Sequence, residues 1–190
     1  MHFAPDSEDV LEFTVALVNT AAAASRSGTD ELATVEQLAD FITLHRYTGR
    51  IDHSPAELAE VHETRERLRQ TWLMHRDVAA AEVNEWLRAA QALPTLVRHD
   101  EFDWHLHATA PEAPLAERIR VEVALALVDV IRSNENDRLR ACGAPDCEGI
   151  LLDVSRNGSK RYCSIRCGNR MNMVAFRERK AAAEASASSA

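Results

Sequence analysis

The feature that most constrains this chain is the placement of its four cysteines. Cys142, Cys147, Cys163 and Cys167 follow the spacing C-x4-C-x15-C-x3-C. Two close pairs joined by a loop of this length bring four sulfurs around one tetrahedral ion, the pattern of a tetrathiolate zinc site. Gly143 and Pro145 sit inside the first pair, where the backbone must fold back on the metal. Two disulfides are the competing reading. The first nine residues carry Asp6, Glu8 and Asp9 and no basic n-region, so no secretory signal is expected. The expected compartment is a reducing cytoplasm, where disulfides are rare, and one zinc ion is the expected occupant. Four thiolates leave no position for water or substrate, so the zinc is expected to be structural. A module of ~40 residues with few large apolar side chains needs that metal in order to fold.

The sequence around the cysteines predicts a small treble-clef-like finger. Ile150, Leu151, Leu152 and Val154 read as a strand, and Asn157-Gly158 as a hairpin turn leading through Arg161-Tyr162 to Cys163. From Cys167 the pattern is helical to about Ala183. Charge sets this segment apart. The chain as a whole has net charge −8, yet residues 138–180 hold ten basic and four acidic side chains. The remainder holds 12 basic and 26 acidic ones. Such asymmetry predicts two units, 1–137 and 138–180, with a low-complexity tail over 181–190 expected to be disordered. Arg156, Lys160 and Arg161 flank the expected turn. Asn169, Arg170, Arg177, Arg179 and Lys180 lie on the expected helix. Arginine pairs with guanine and asparagine with adenine in a major groove, and the other cations suit phosphates. DNA is therefore the expected partner of the finger. Solvation of a small module, or docking on a protein, is the alternative use of the same charge.

Residues 1–137 read as helices. Apolar spacing predicts helices over Glu8 to about Ala24, from Thr34 to Gly49, from Ser54 to about His75, from Asp77 to about Ala92, and from Leu115 to about Ser133. Thr34 with Gln37 forms a capping-box pattern, and Ser54-Pro55-Ala56-Glu57 is a second start signal. Between Leu96 and Thr109 the period changes: Phe102, Trp104 and Leu106 alternate with Asp103, His105 and His107, as in a strand or half a hairpin. The fold class is thus mainly α, with one short strand or hairpin and the finger at the C-terminus. A hydrophobic fraction of 46% excludes wholesale disorder, and no apolar stretch approaches the ~20 residues of a membrane helix. Asp103, His105 and His107 share a strand face that can bind metal, although a solvated face is the simpler reading. Asn19 and Arg65 are candidate ligand contacts, with a cap, an ion pair or solvent exposure as the plainer role. No nucleophile–base pair, phosphate loop or carboxylate pair stands out, so no enzyme is expected.

These residues also carry a family resemblance. Asp153-Val154-Ser155-Arg156-Asn157, Arg161-Tyr162-Cys163-Ser164, Cys167-Gly168-Asn169-Arg170 and Phe176-Arg177-Glu178-Arg179 resemble the CGNR zinc finger. Leu17-Val18-Asn19-Thr20, Leu38-Ala39-Asp40-Phe41 and Leu68-Arg69 resemble the ABATE domain that accompanies it. Tyr162 stands where that family often has tryptophan. The resemblance implies four cysteine ligands, a DNA-binding finger and a bacterial, stress-induced transcriptional regulator. No membrane partner is expected, because no apolar stretch is long enough to span one. The expected function is a two-unit cytoplasmic regulator whose helical part senses a small-molecule effector or mediates association, plausibly as a homodimer, because one small finger reads little sequence alone. The alternative is a zinc-stabilised interaction module or ligand sensor that never touches DNA.

Overall fold

The computed structural model describes residues 3–98 and 103–188. Helices α1 (Pro5–Val18), α2 (Val35–Leu44), α3 (Pro55–Trp72) and α4 (Arg76–Ala89) precede a two-stranded antiparallel hairpin of β1 (Thr95–Val97) and β2 (His105–His107). The long α5 (Leu115–Ser133) follows, then a single 3-10 turn over Asn136–Arg138. The chain then forms β3 (Leu139–Ala141) and β4 (Ile150–Leu152), an antiparallel pair with Arg140 opposite Leu151. Helix α6 (Ile165–Ser188) closes the described chain. No helix among the described residues is long and apolar enough to cross a membrane.

The apolar stripe of α5 is the centre of the core. Ile119, Val123, Ala124, Leu127 and Val130 are all buried, and α1, α3 and α4 pack around them. Both expected start signals operate. Thr34 accepts the Gln37 amide while the Gln37 side chain accepts the Thr34 amide, completing the capping box. Ser54 caps α3 through the Glu57 amide at 3.2 Å. The Glu57 carboxylate, itself buried, reaches back to the Asp52 and His53 amides.

Four expectations require correction. First, α1 stops at Val18 instead of Ala24, because Thr20 turns its hydroxyl back onto the Leu17 carbonyl and Arg65 binds Thr20 and Asp30 together. Second, the β2 faces are inverted: Leu106 and Trp104 are exposed, while His105 and His107 are half-buried against the core side. The imidazoles satisfy themselves there, His105 Nδ1 against the Asp103 carbonyl at 2.7 Å and Nε2 against His107 Nε2 at 2.9 Å. Phe102 lies outside the described residues. Third, the tail is helical to Ser188. Its alanines have the highest helix propensity of any residue, and Lys180 pairs with Glu184 one turn on. Residues 189–190 lie outside the described chain.

The fourth concerns the finger hairpin. β4 pairs with β3 across the first cysteine turn, not with residues 161–162 across Asn157-Gly158. The loop after β4 is instead gathered by one carboxylate. Asp153, fully buried, accepts the Ser155 amide and hydroxyl and the Lys160 amide, and its second oxygen lies 3.1 Å from Arg140. Hydrogen bonds to a side chain replace a second strand ladder.

One buried cation organises the far side of the core. Arg118, 3% exposed on α5, donates to the carbonyls of Thr48, Arg50 and Ala113 and stands over the Tyr47 ring. Removing it leaves three carbonyls without a donor, each orphan costing ~1–3 kcal/mol. Arg118→Ala is therefore expected to lower stability by at least ~3 kcal/mol in urea denaturation, with zinc content unchanged.

Candidate metal centre

Each cysteine pair is positioned by a different local device. Cys142 directly follows β3, and its amide donates to the Gly149 carbonyl at 2.7 Å, closing the turn that carries Cys147. On the other side Ser164 caps α6: its hydroxyl accepts the Cys167 amide at 3.2 Å, so Cys163 lies just before the helix and Cys167 in its first turn. The two turns meet where the Gly143 amide donates to the Arg161 carbonyl at 2.7 Å.

The four sulfurs all lie within 4.8 Å of one another. Cys147 and Cys163 are 3.6 Å apart, Cys163 and Cys167 3.8 Å. A tetrahedron of sulfurs about ~2.3 Å from a zinc ion has edges near ~3.8 Å, so the residues present fit the metal. All four cysteines are free, which removes the disulfide reading. Amides point at the sulfurs as a thiolate site requires, Gly149 to Cys147 and Cys163 to Cys142, each at 3.4 Å. Burial, and then the neighbouring thiols, push Cys163 up from its ordinary value; burial also raises Cys147. Hydrogen bonds from Ser164 and the neighbouring thiols instead lower Cys167, and zinc binding expels the protons the thiols still hold. The site is structural: its four positions are filled and no open ligand position remains.

Tyr162 covers the centre, its ring lying against both Gly143 and Gly168. Gly149 is required by close approach. A Cβ there would come within 3.0 Å of the Asn19 amide oxygen and 3.1 Å of the Cys163 sulfur. That contact shows where Asn19 goes. Its side chain donates to the Ile150 carbonyl at 2.9 Å and accepts the Ile150 amide at 2.8 Å. Arg65 is committed to Asp30 and Thr20.

The basic side chains divide into two groups. Arg170 pairs with Asp146 at 2.8 Å and points at the Cys167 sulfur, so it buttresses the metal turn. Lys160 donates to the Leu152 carbonyl at 3.0 Å, and Arg166 to the Arg26 carbonyl. Arg156, Arg161, Asn169, Arg177, Arg179 and Lys180 are exposed. His105 and His107 lie away from the centre on β2, and among the described residues only the cysteines form a group able to hold a metal. Arg140 and Asp146 were not singled out from the sequence. Asp153 entered only as the first residue of the motif Asp153-Val154-Ser155-Arg156-Asn157, with no role assigned to its carboxylate.

The metal turn and the helical core share β4. Ile150 and Leu152 belong to the main core cluster, and Trp72 donates its indole N–H to the Leu151 carbonyl. Cys163→Ser is expected to lose the single equivalent of zinc. Because of the shared strand it should also lower the unfolding temperature of the helical part, merging both into one calorimetric transition that shifts with zinc. Two independent transitions, one indifferent to metal, would contradict the shared core.

No curated protein matches the chain. A family model for the CGNR zinc finger matches residues 138–180 and includes all four cysteines. The ABATE model, described as a putative stress-induced transcription regulator, matches residues 12–134, more than half of the chain. The two matches abut at the 3-10 turn before β3. The chain belongs to the ABATE family and carries a CGNR zinc finger behind its helical domain.

Proposed function

We propose that this protein is a cytoplasmic transcriptional regulator that binds DNA through α6, and that it has no catalytic step of its own. The observation that carries this reading is the way α6 leaves the body. It is anchored through Cys163 and Cys167, and beyond Met171 nearly every described side chain is exposed. At ~100° per residue, Cys167 and Met171 face the metal, and the opposite arc presents Asn169, Asn172, Phe176 and Lys180. Arg177 and Arg179 flank that arc on either side, and neither makes a hydrogen bond or ion pair within the described chain. A helix with asparagines and an apolar ring on its front and arginines on both shoulders suits a major groove. The front faces base edges and thymine methyls, and the shoulders reach phosphates on both walls. The zinc centre and the Arg170–Asp146 pair fix the angle at which the helix projects.

The charge distribution supports the same reading. The acidic helical domain does not attract a polyanion, so contact is restricted to the finger and steered there. A second copy would double the number of bases read, which one small finger needs for specificity.

An apolar protein partner is the second reading, favoured by Met173 and Phe176, each more than half exposed on α6. The two are separated by an electrophoretic mobility assay on genomic fragments at two or more salt concentrations. DNA binding is expected to weaken steeply with salt. Arg177→Ala with Arg179→Ala should weaken it by at least about tenfold, at unchanged zinc content, and reduce the salt slope by ~2. Unchanged binding in the double variant would remove α6 from the interface.

A further inference from the structure

The fold treats the four sulfurs of the metal centre unequally. Three of them receive an N–H. The Gly149 amide donates to Cys147 and the Cys163 amide to Cys142, each at 3.4 Å, and Arg170 Nη2 lies 3.6 Å from Cys167. Among the described residues no N–H donates to Cys163 Sγ. Apart from the other sulfurs, its polar neighbour is the Ser164 hydroxyl at 3.9 Å. With the metal in place all four sulfurs are thiolates. A hydrogen bond draws charge from a thiolate and blunts it as a nucleophile, so Cys163 keeps the most reactive sulfur of the four.

Cys163 is also within reach of a solute. Cys142 and Cys167 are buried, whereas Cys147 and Cys163 are only half-buried. A cavity of about 340 Å³ lies between the finger and the segment that follows α1, and Cys147 and Cys163 line it. Ala22, Ala23 and Ala24 form the opposite wall. Liquid water occupies ~30 Å³ per molecule, so the space admits solutes somewhat larger than water. Arg166 and Arg170 also line it, but they are committed to the Arg26 carbonyl and to Asp146. The cavity therefore suits a small uncharged solute better than an anion.

We propose that Cys163 is an oxidation site for a small neutral peroxide, with Cys147 as the resolving thiol. The Cys163 thiolate attacks one peroxide oxygen and the O–O bond breaks, giving a sulfenic acid on Cys163 and one hydroxide. The Cys147 thiolate, 3.6 Å away, then attacks the Cys163 sulfur, forming a disulfide and expelling a second hydroxide. The two sulfurs give up two electrons and hydrogen peroxide takes both. A disulfide needs ~2.05 Å between sulfurs, so one of the pair must move by about 1.5 Å. Cys147 lies in the loop between β3 and β4 and can do so. Cys167, 3.8 Å from Cys163, is fixed in the first turn of α6 by its amide on Ser164 and by Arg170. Cys142 and Cys167 are then the only thiolates left, too few to keep a structural zinc. α6 thereby loses the ligand bond that fixes its first turn.

Hydrogen peroxide added to the full, zinc-loaded chain tests this, with a chromophoric zinc chelator, dimedone as a sulfenic-acid trap, and peptide mass mapping. Release of one equivalent of zinc is expected as two thiols are lost, with a Cys147–Cys163 disulfide recovered. Dimedone present during the reaction should label Cys163 ahead of the other three cysteines. Dithiothreitol with added zinc should restore both the metal and the melting temperature. Ala23→Phe places a ring in the cavity from its exposed wall. It should slow zinc release by at least about fivefold at unchanged starting zinc content, because oxidation follows access. First labelling at another cysteine, a disulfide other than Cys147–Cys163, zinc retained at millimolar peroxide, or an unchanged rate in Ala23→Phe would each overturn the proposal. None of these outcomes depends on whether α6 binds DNA.

Discussion

The structure depends on one pairing more than on any other: the Asn19 side chain against the backbone of Ile150. A carboxamide offers one donor and one acceptor with the spacing of a peptide unit, so a single asparagine can stand beside a strand as a neighbouring strand would. β4 is hydrogen-bonded to β3 on one edge and covered by Asn19 on the other, and Ile150, Leu151 and Leu152 are all buried. A three-residue strand, too short to be stable alone, becomes the common member of two units. On one side it closes the metal turn through Gly149, and on the other it fills the groove beneath α1 and α3. Arg69 and the Ala23 carbonyl add hydrogen bonds to Glu148 on the same seam. The finger is therefore not a module on a tether.

Cations are used in two distinct ways. Arg118, Arg138 and Arg140 point inward and hold carbonyls or Asp153 where loops would otherwise leave acceptors unpaired. Their charges are largely committed to folding. Arg156 in the turn after β4 and Arg177 and Arg179 on α6 are exposed and make no hydrogen bond or ion pair within the described chain. The net charge of −8 is an average over these populations and describes neither.

Much of this was legible because it follows from local chemistry. α5 was readable over Leu115–Ser133 because apolar residues recur at helical spacing across its whole length. The Thr34 and Ser54 caps needed only neighbours three residues away. The metal centre was readable from spacing alone, since four thiolates have few other uses in a reducing compartment. What escaped depends on distant partners. Asn19 looked like a polar residue at a helix end, and only the fold shows that position 150 lies beside it. The inversion of β2 was hidden because alternation gives two faces but not which one is buried, and here the cleft beneath the hairpin accepts imidazoles. The finger hairpin was mispaired because Asn157-Gly158 is a strong turn signal. Asp153 satisfied that turn from within and left the strand partner to β3.

The same helix carries both ends of this arrangement. α1 lines the cleft beneath the β1–β2 hairpin with Asp6, Asp9 and Phe13, and its C-terminal cap is Asn19, the residue that holds β4 against the metal turn. From Phe13 to Asn19 is six residues, about 9 Å along a helix axis, with Leu17 and Val18 locked in the core between them. Proximity is not coupling, because an effector changes a distant equilibrium only by its difference in affinity for two states. The geometry does limit where such a difference could arise. α1 cannot shorten, so a ligand that draws its first turns toward β2 must translate or rotate the helix as a unit. The element at its far end is a pair of hydrogen bonds that tolerates little displacement. Any coupling between an occupant of that cleft and the position of β4 is reciprocal.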